Sequence, residues 1–200
     1  MVSKDRQAAF KEALDALRFN KTPGVLDLGS FGLNAADARA LADNLRSNKS
    51  LRTNLILAGN ELGDAGAQSL AEALRVNDVL RQVDLCDNQI GSLGVQALAE
   101  VLKVNSHLRQ LKLDDNHAGP KGAQALAAAL IESMDLEELW LSRNVIGREG
   151  AEALGEALKT NSSLCRLYLR QNDIGPKGAE ALASALKLND TLRQLFLSRN

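Results

Sequence analysis

The chain has 200 residues, a formal net charge of −1 and 24% charged residues. Two hundred residues ordinarily fill one or two globular domains, and a charge so close to zero lacks the global basic footprint of a nucleic-acid-binding protein. No segment approaches the roughly 18 apolar residues of a membrane span, and the amino terminus MVSKDRQAAFKEALDALRFN lacks the apolar core of a signal peptide, so a cytoplasmic chain with no membrane partner is expected.

The first predicted element is a helix from about Gln7 to Asn20, with Phe10, Leu14 and Leu17 on one face at helical spacing. Its ending, ALDALRFN, resembles the later ALAEALRVN and AEALKTN. Residues 1–23 therefore read as a half unit that caps an array, because an unpaired end would expose its core.

The first full unit, from Gly24 to Ser50, is degenerate. Leu26, Leu28, Leu33, Leu41 and Leu45 keep the apolar pattern, while Phe31 takes the place that asparagine holds further on and Asn34 a glycine place. Asparagine tolerates a left-handed backbone, which rationalises the second exchange. From Phe31 to Asn60 the step is 29 residues against 28 later, and the surplus residue near Arg52 to Asn54 predicts a bulge or a longer loop.

From Leu80 onward each unit has three parts. In LRQVDLCDN the alternation sends Val83 and Leu85 to the core and Gln82, Asp84 and Cys86 the other way, as a strand requires. Asn88 then turns the chain, its amide able to satisfy buried backbone groups that have no ladder partner. Glycines allow the turn into a helix, Pro120 and Pro176 sit near helix starts, and Val95, Leu98, Ala99 and Leu102 form one apolar stripe.

The unit repeats. Asn60, Asn88, Asn116, Asn144, Asn172 and Asn200 recur every 28 residues, as do two files of glycine beginning at Gly63 and Gly66 and one of leucine beginning at Leu70. Self-similarity at such a period, with the form LxxLxLxxN followed by a helical half, marks a solenoid of leucine-rich repeats. The units resemble the long, ribonuclease-inhibitor-like class of leucine-rich repeat, the class also found in NOD-like receptors and Ran GTPase-activating protein. The resemblance covers residues 24–200, about seven units with the last incomplete. It implies an α/β curved horseshoe with a parallel β-sheet on the concave face and α-helices on the convex face.

One leucine fully buried is worth roughly 1.5–3 kcal/mol, and fixing one residue's backbone costs roughly 1–2 kcal/mol. The half-dozen apolar residues of a unit cannot order it alone, so every unit needs neighbours. Because the sequence stops at Asn200 after a strand and before a helix, a longer parent array or some cover for that edge is expected, and the exposed edge is a place for pairing.

Enzymatic constellations are lacking, and no enzyme, cofactor or metal is expected. His107 and His117 fall in different parts of the repeat with no ligand spacing beside them, and GPKG at 119–122 and 175–178 belongs to the repeat and is no phosphate loop. Cys86 and Cys165 lie on strands three spacings apart, about 14 Å, beyond the roughly 7 Å that a disulfide allows. Two free thiols in a reducing compartment follow, and they distinguish the chain from the cysteine-rich ribonuclease inhibitor.

The positions that the fold leaves open carry the functional reading. The central outward strand position reads Asp27, Ile56, Asp84, Lys112, Trp140, Tyr168 and Phe196. Three consecutive aromatics on strands about 4.8 Å apart make an exposed ladder, flanked by Arg143, Arg166, Arg170 and Arg199. Beside it lies an acidic zone of Asp84, Asp87, Asp114, Asp115 and Glu138. Aromatic rings with arginine are the usual anchors of protein interfaces, so the expected function is a protein–protein interaction scaffold binding a protein partner on its concave face, with no nucleic acid. The rival is a GTPase-activating protein resembling the Ran-specific one, with Arg143 or Arg148 in a strand-to-helix loop. A third reading is a consensus-like array without a natural partner.

Overall fold

The computed structural model describes residues 4–200. In them, helix α1 (Lys4–Arg18) precedes six strand–helix pairs and a final strand: β1 (Val25–Asp27), α2 (Ala35–Leu45), β2 (Asn54–Ile56), α3 (Gly63–Leu74), β3 (Gln82–Asp84), α4 (Ser92–Leu102), β4 (Gln110–Lys112), α5 (Gly119–Glu132), β5 (Glu138–Trp140), α6 (Gly147–Leu158), β6 (Arg166–Tyr168), α7 (Gly175–Leu186) and β7 (Gln194–Phe196). The strands form one parallel sheet in sequence order. The helices pack on one side of it, each against the next. Helices need 8–10 Å between axes and strands about 4.8 Å, so the stack curves with the sheet inside.

Helix α1 starts earlier than the apolar spacing predicts, with Asp5 in its first turn where the helix dipole favours an acid. The chain leaves the helix at Asn20, two residues past its end, where a left-handed φ of 54° lets the Lys21 N–H reach the Ala16 carbonyl. The core between sheet and helices is leucine and alanine, with Leu55, Val83, Leu111, Leu139 and Leu167 buried on successive strands.

The surplus residue is Arg52. The N–H groups of Arg81 and Gln82 both donate to the Thr53 carbonyl, as those of Arg109 and Gln110 do to Arg81 and those of Thr53 and Asn54 do to Gly24. Thr53 thus fills the place that Arg81 fills one unit later, and the loop after Leu51 lengthens. Strand pairing from Val25↔Asn54 onward contains no bulge.

Asparagines tie the rungs together. The amide of each repeated asparagine donates to a leucine carbonyl one rung back, from Asn60 to Leu28 through Asn200 to Leu169. A second file, Asn48, Asn77, Asn105, Asn161 and Asn189, closes the helix ends in the same way. Ser133 interrupts this file, and α5, which precedes it, is the longest of the repeat helices at 14 residues.

Asn34 departs from expectation. It is extended (φ −111°, ψ −173°) and serves as N-cap of α2, accepting from the Ala36 and Asp37 N–H groups while Asp37 accepts from its own N–H. The capping bond, which needs a short side-chain acceptor, selects asparagine here instead of left-handed tolerance. Gly91 is extended too, and the carboxylate of Asp64, one unit back, accepts from its N–H and from that of Gly94.

Candidate interaction surface

Parallel register places Lys112 beside Trp140, Trp140 beside Tyr168, and Tyr168 beside Phe196. The rings meet. Trp140 and Tyr168 have centroids 4.2 Å apart at 33°, and Tyr168 and Phe196 stack at 4.4 Å and 8°. Lys112 Nζ lies 4.4 Å from the Trp140 centroid and 3.7 Å from Asp84. The guanidinium of Arg170 is 5.1 Å from the Phe196 ring. A column therefore runs from Asp84 through Lys112 and three rings to Arg170, each member partly or wholly exposed. Lys112 belongs to this column by the same 28-residue step, a signal present in the sequence but not used for the site.

The acidic and basic residues do not form separate zones. Glu138 is buried, and it holds Arg166 of the next strand in an ion pair while accepting from Trp140 Nε1 at 3.4 Å. Arg143 makes a two-point ion pair with Asp115 one rung back. Asp114 accepts the Ser142 N–H at 2.6 Å. Asp84 is taken by Lys112 and the Cys86 N–H. Of the five acids of this zone, Asp87 alone has neither an ion pair nor a side-chain hydrogen bond among the described residues. Asp84, Asp114 and Glu138, expected as partner-binding residues, are each engaged by a group of the next rung or of their own turn.

The rival's arginines are likewise engaged. Arg148 lies in the first turn of α6, paired with Glu152, and is not in the loop.

Two groups carry shifted protonation. Burial pushes the Cys86 thiol up, and Asp84 adds to it, so this cysteine is a poor nucleophile at neutral pH. Burial also raises the Asp114 carboxyl, against the lowering effect of Ser142. A carboxyl raised in the folded state binds its proton more readily there, so stability falls as pH rises from about 4, its unfolded value, through the raised folded value. Asp114→Asn keeps an acceptor for Ser142, and it is expected to raise the Tm at pH 7 and flatten that decline. Thermal unfolding from pH 4 to 7 checks this, and a lower Tm at pH 7 would refute it.

One column of the strand-to-helix turn is left-handed throughout: Ser30, Gly59, Asp87, Asp115, Arg143, Gln171 and Arg199 have φ between 52° and 71°. Its last three members, with Arg170 and Ser198, line an open groove of about 410 Å³ at the carboxyl ends of β5–β7. Gln171 and Ser198 were not expected there. Among the described residues no group of His, Cys, Asp and Glu is arranged to hold a metal ion, and no helix is long and apolar enough to cross a membrane.

A family model described as leucine rich repeat matches residues 45–71, 76–99, 104–127, 132–155 and 160–183. No curated protein matches the sequence. Among solved structures, one described as leiomodin-1 actin-binding site 2 is similar at a TM-score of 0.59 and 20% identity, over 89% of this chain and 90% of that one. The tropomodulin C-terminal domain of Caenorhabditis elegans is similar at 0.57 and 15%, over 89% and 91%. At these identities the likeness is one of fold.

Proposed function

The chain belongs to the leucine-rich repeat family, and we propose that it is a non-enzymatic scaffold that takes a protein partner on the strand face of β5–β7. Within the family it fits the long, ribonuclease-inhibitor-like class, because a 28-residue step gives each unit a helix of 11 to 14 residues. Two free thiols fit a cytoplasmic location.

The observation that carries this reading is the ring column. Trp140, Tyr168 and Phe196 keep partly exposed edges while their faces are fixed against each other. Rigid rings lose little entropy on binding, and rings flanked by arginine are where interface energy concentrates. Arg166, held by Glu138, and Arg143, held by Asp115, are pre-positioned beside them.

The test compares the chain with W140A/Y168A/F196A as bait in affinity capture, with Tm measured on both. Losing the stacks is expected to lower stability by about 1–3 kcal/mol, and captured partners are expected to weaken about thirtyfold or more. An unchanged set of partners on a destabilised variant would reduce the rings to a structural role. Purified actin is the first named probe, since the similar leiomodin-1 domain is described as an actin-binding site.

A further inference from the structure

We infer that the partner segment received at the carboxyl ends of β5–β7 is an acidic peptide in extended conformation, its carboxylates seated in the groove lined by Arg143, Arg170, Gln171, Ser198 and Arg199. This rests on the strand-face reading above and narrows its chemistry. Three observations carry it.

The first is charge left over. Arg143 is matched by Asp115, but Arg170 and Arg199 have no ion pair among the described residues. Both are exposed at the groove. Gln171 and Ser198 add neutral donors between them. A guanidinium fork is shaped for a carboxylate.

The second is ring orientation. The rings are stacked on one another, with Lys112 near the Trp140 ring and Arg170 near Phe196, so edges are what they offer. A ring edge carries the positive end of the aromatic quadrupole, which attracts anionic oxygen. Single-stranded nucleic acid binds by laying bases on aromatic faces, and here the faces between the three rings are taken by the stack itself.

The third is backbone strain. Arg143, Gln171 and Arg199 hold φ of 56°, 53° and 62° at a position where Gly59 shows that glycine fits. A side chain in this region is strained; Ser30, Asp87 and Asp115 of the same column share that strain, and what sets the last three units apart is the long polar side chain that lines the groove. Arg170 and Arg199 stand on neighbouring rungs and one residue out of register, roughly 6 Å apart along the backbones, which matches acidic residues two positions apart on one face of an extended chain at about 3.3 Å per residue.

The experiment uses a fluorescein-labelled peptide of six Glu-Ser repeats, with a Lys-Ser peptide and a dT12 oligonucleotide alongside, read by fluorescence anisotropy on the full chain. The Glu-Ser peptide is expected to bind in 50 mM NaCl and to weaken about tenfold in 300 mM, because exposed charges are screened. R170Q/R199Q is expected to weaken it about tenfold, and R199Q alone, which disturbs no contact seen in the fold, by a smaller factor. Equal binding by the folded double variant, or tighter binding of dT12, would overturn the inference. If the acidic peptide does not bind yet W140A/Y168A/F196A still releases captured partners, the inference falls and the scaffold reading stands. If the triple variant retains its partners, the scaffold reading itself falls.

Discussion

Replacing Asn116 by alanine is expected to destabilise the chain by about 3–4 kcal/mol, whereas the same change at Asn88, in the same file and just as buried, is expected to cost less than half of that. The Asn116 side chain donates to the Leu85 carbonyl and accepts from the N–H groups of Asn88 and Ile90, and among the described residues these three buried groups have no other partner. Each buried group left unsatisfied costs about 1 kcal/mol or more. Asn88 donates to Leu57, which also accepts from Asn60, and to Cys86, which also accepts from the Gly59 N–H. Its own oxygen makes no hydrogen bond in the structure. Alanine there orphans no backbone group and leaves mainly a small cavity. Urea unfolding of both variants measures the difference, and equal costs would show that the file acts by packing alone.

Gly150→Leu is expected to cost about 3 kcal/mol and to disturb the aromatic column on the far side of the core. A Cβ built at Gly150 lies 2.8 Å from Ala123 Cβ and 3.0 Å from Ile146 Cβ, closer than carbon atoms approach. Gly66, Gly94 and Gly178 meet the previous helix or turn in the same way, and Gly122 is only slightly looser at 3.2 Å. Overpacking such a contact costs about 1–3 kcal/mol and sometimes more. Leucine at this site must push α6 from α5, which opens the wedge between β4 and β5 and parts Lys112 from the Trp140 ring. Because Trp140 is the only tryptophan, its fluorescence reports that separation directly. The neighbouring exposed change Glu149→Leu supplies the control, since it adds a side chain of the same size on the solvent side. A Gly150→Leu chain with wild-type stability and unchanged Trp140 emission would contradict the account.

These variants probe the two ends of one transformation. Within a unit the chain runs from sheet to helix, and between units it moves one rung sideways, so a defect in the helix layer reaches the sheet through a single layer of leucines. The Asp114 titration and the acidic-peptide binding test the opposite face of the same rungs.

Residues separated by 28 in the chain are lateral neighbours in a parallel, in-register sheet, and that is why the period alone placed Trp140, Tyr168 and Phe196 in one column and Cys86 far from Cys165. Which side chain answers which was decided by tertiary structure. Glu138 turns to Arg166, Asp115 to Arg143 and Asp84 to Lys112 because each acid lies beside a basic residue one rung ahead, and burial and reach choose among the groups in range. The same holds for Asn34, whose composition permits a left-handed turn but whose position at the start of α2 makes capping the better bond. Periodicity fixes where backbones lie, since backbone spacing is the same for every sequence of this period. Charge pairing, ring faces and caps depend on distances of a few ångströms between flexible groups, and only the assembled fold sets those.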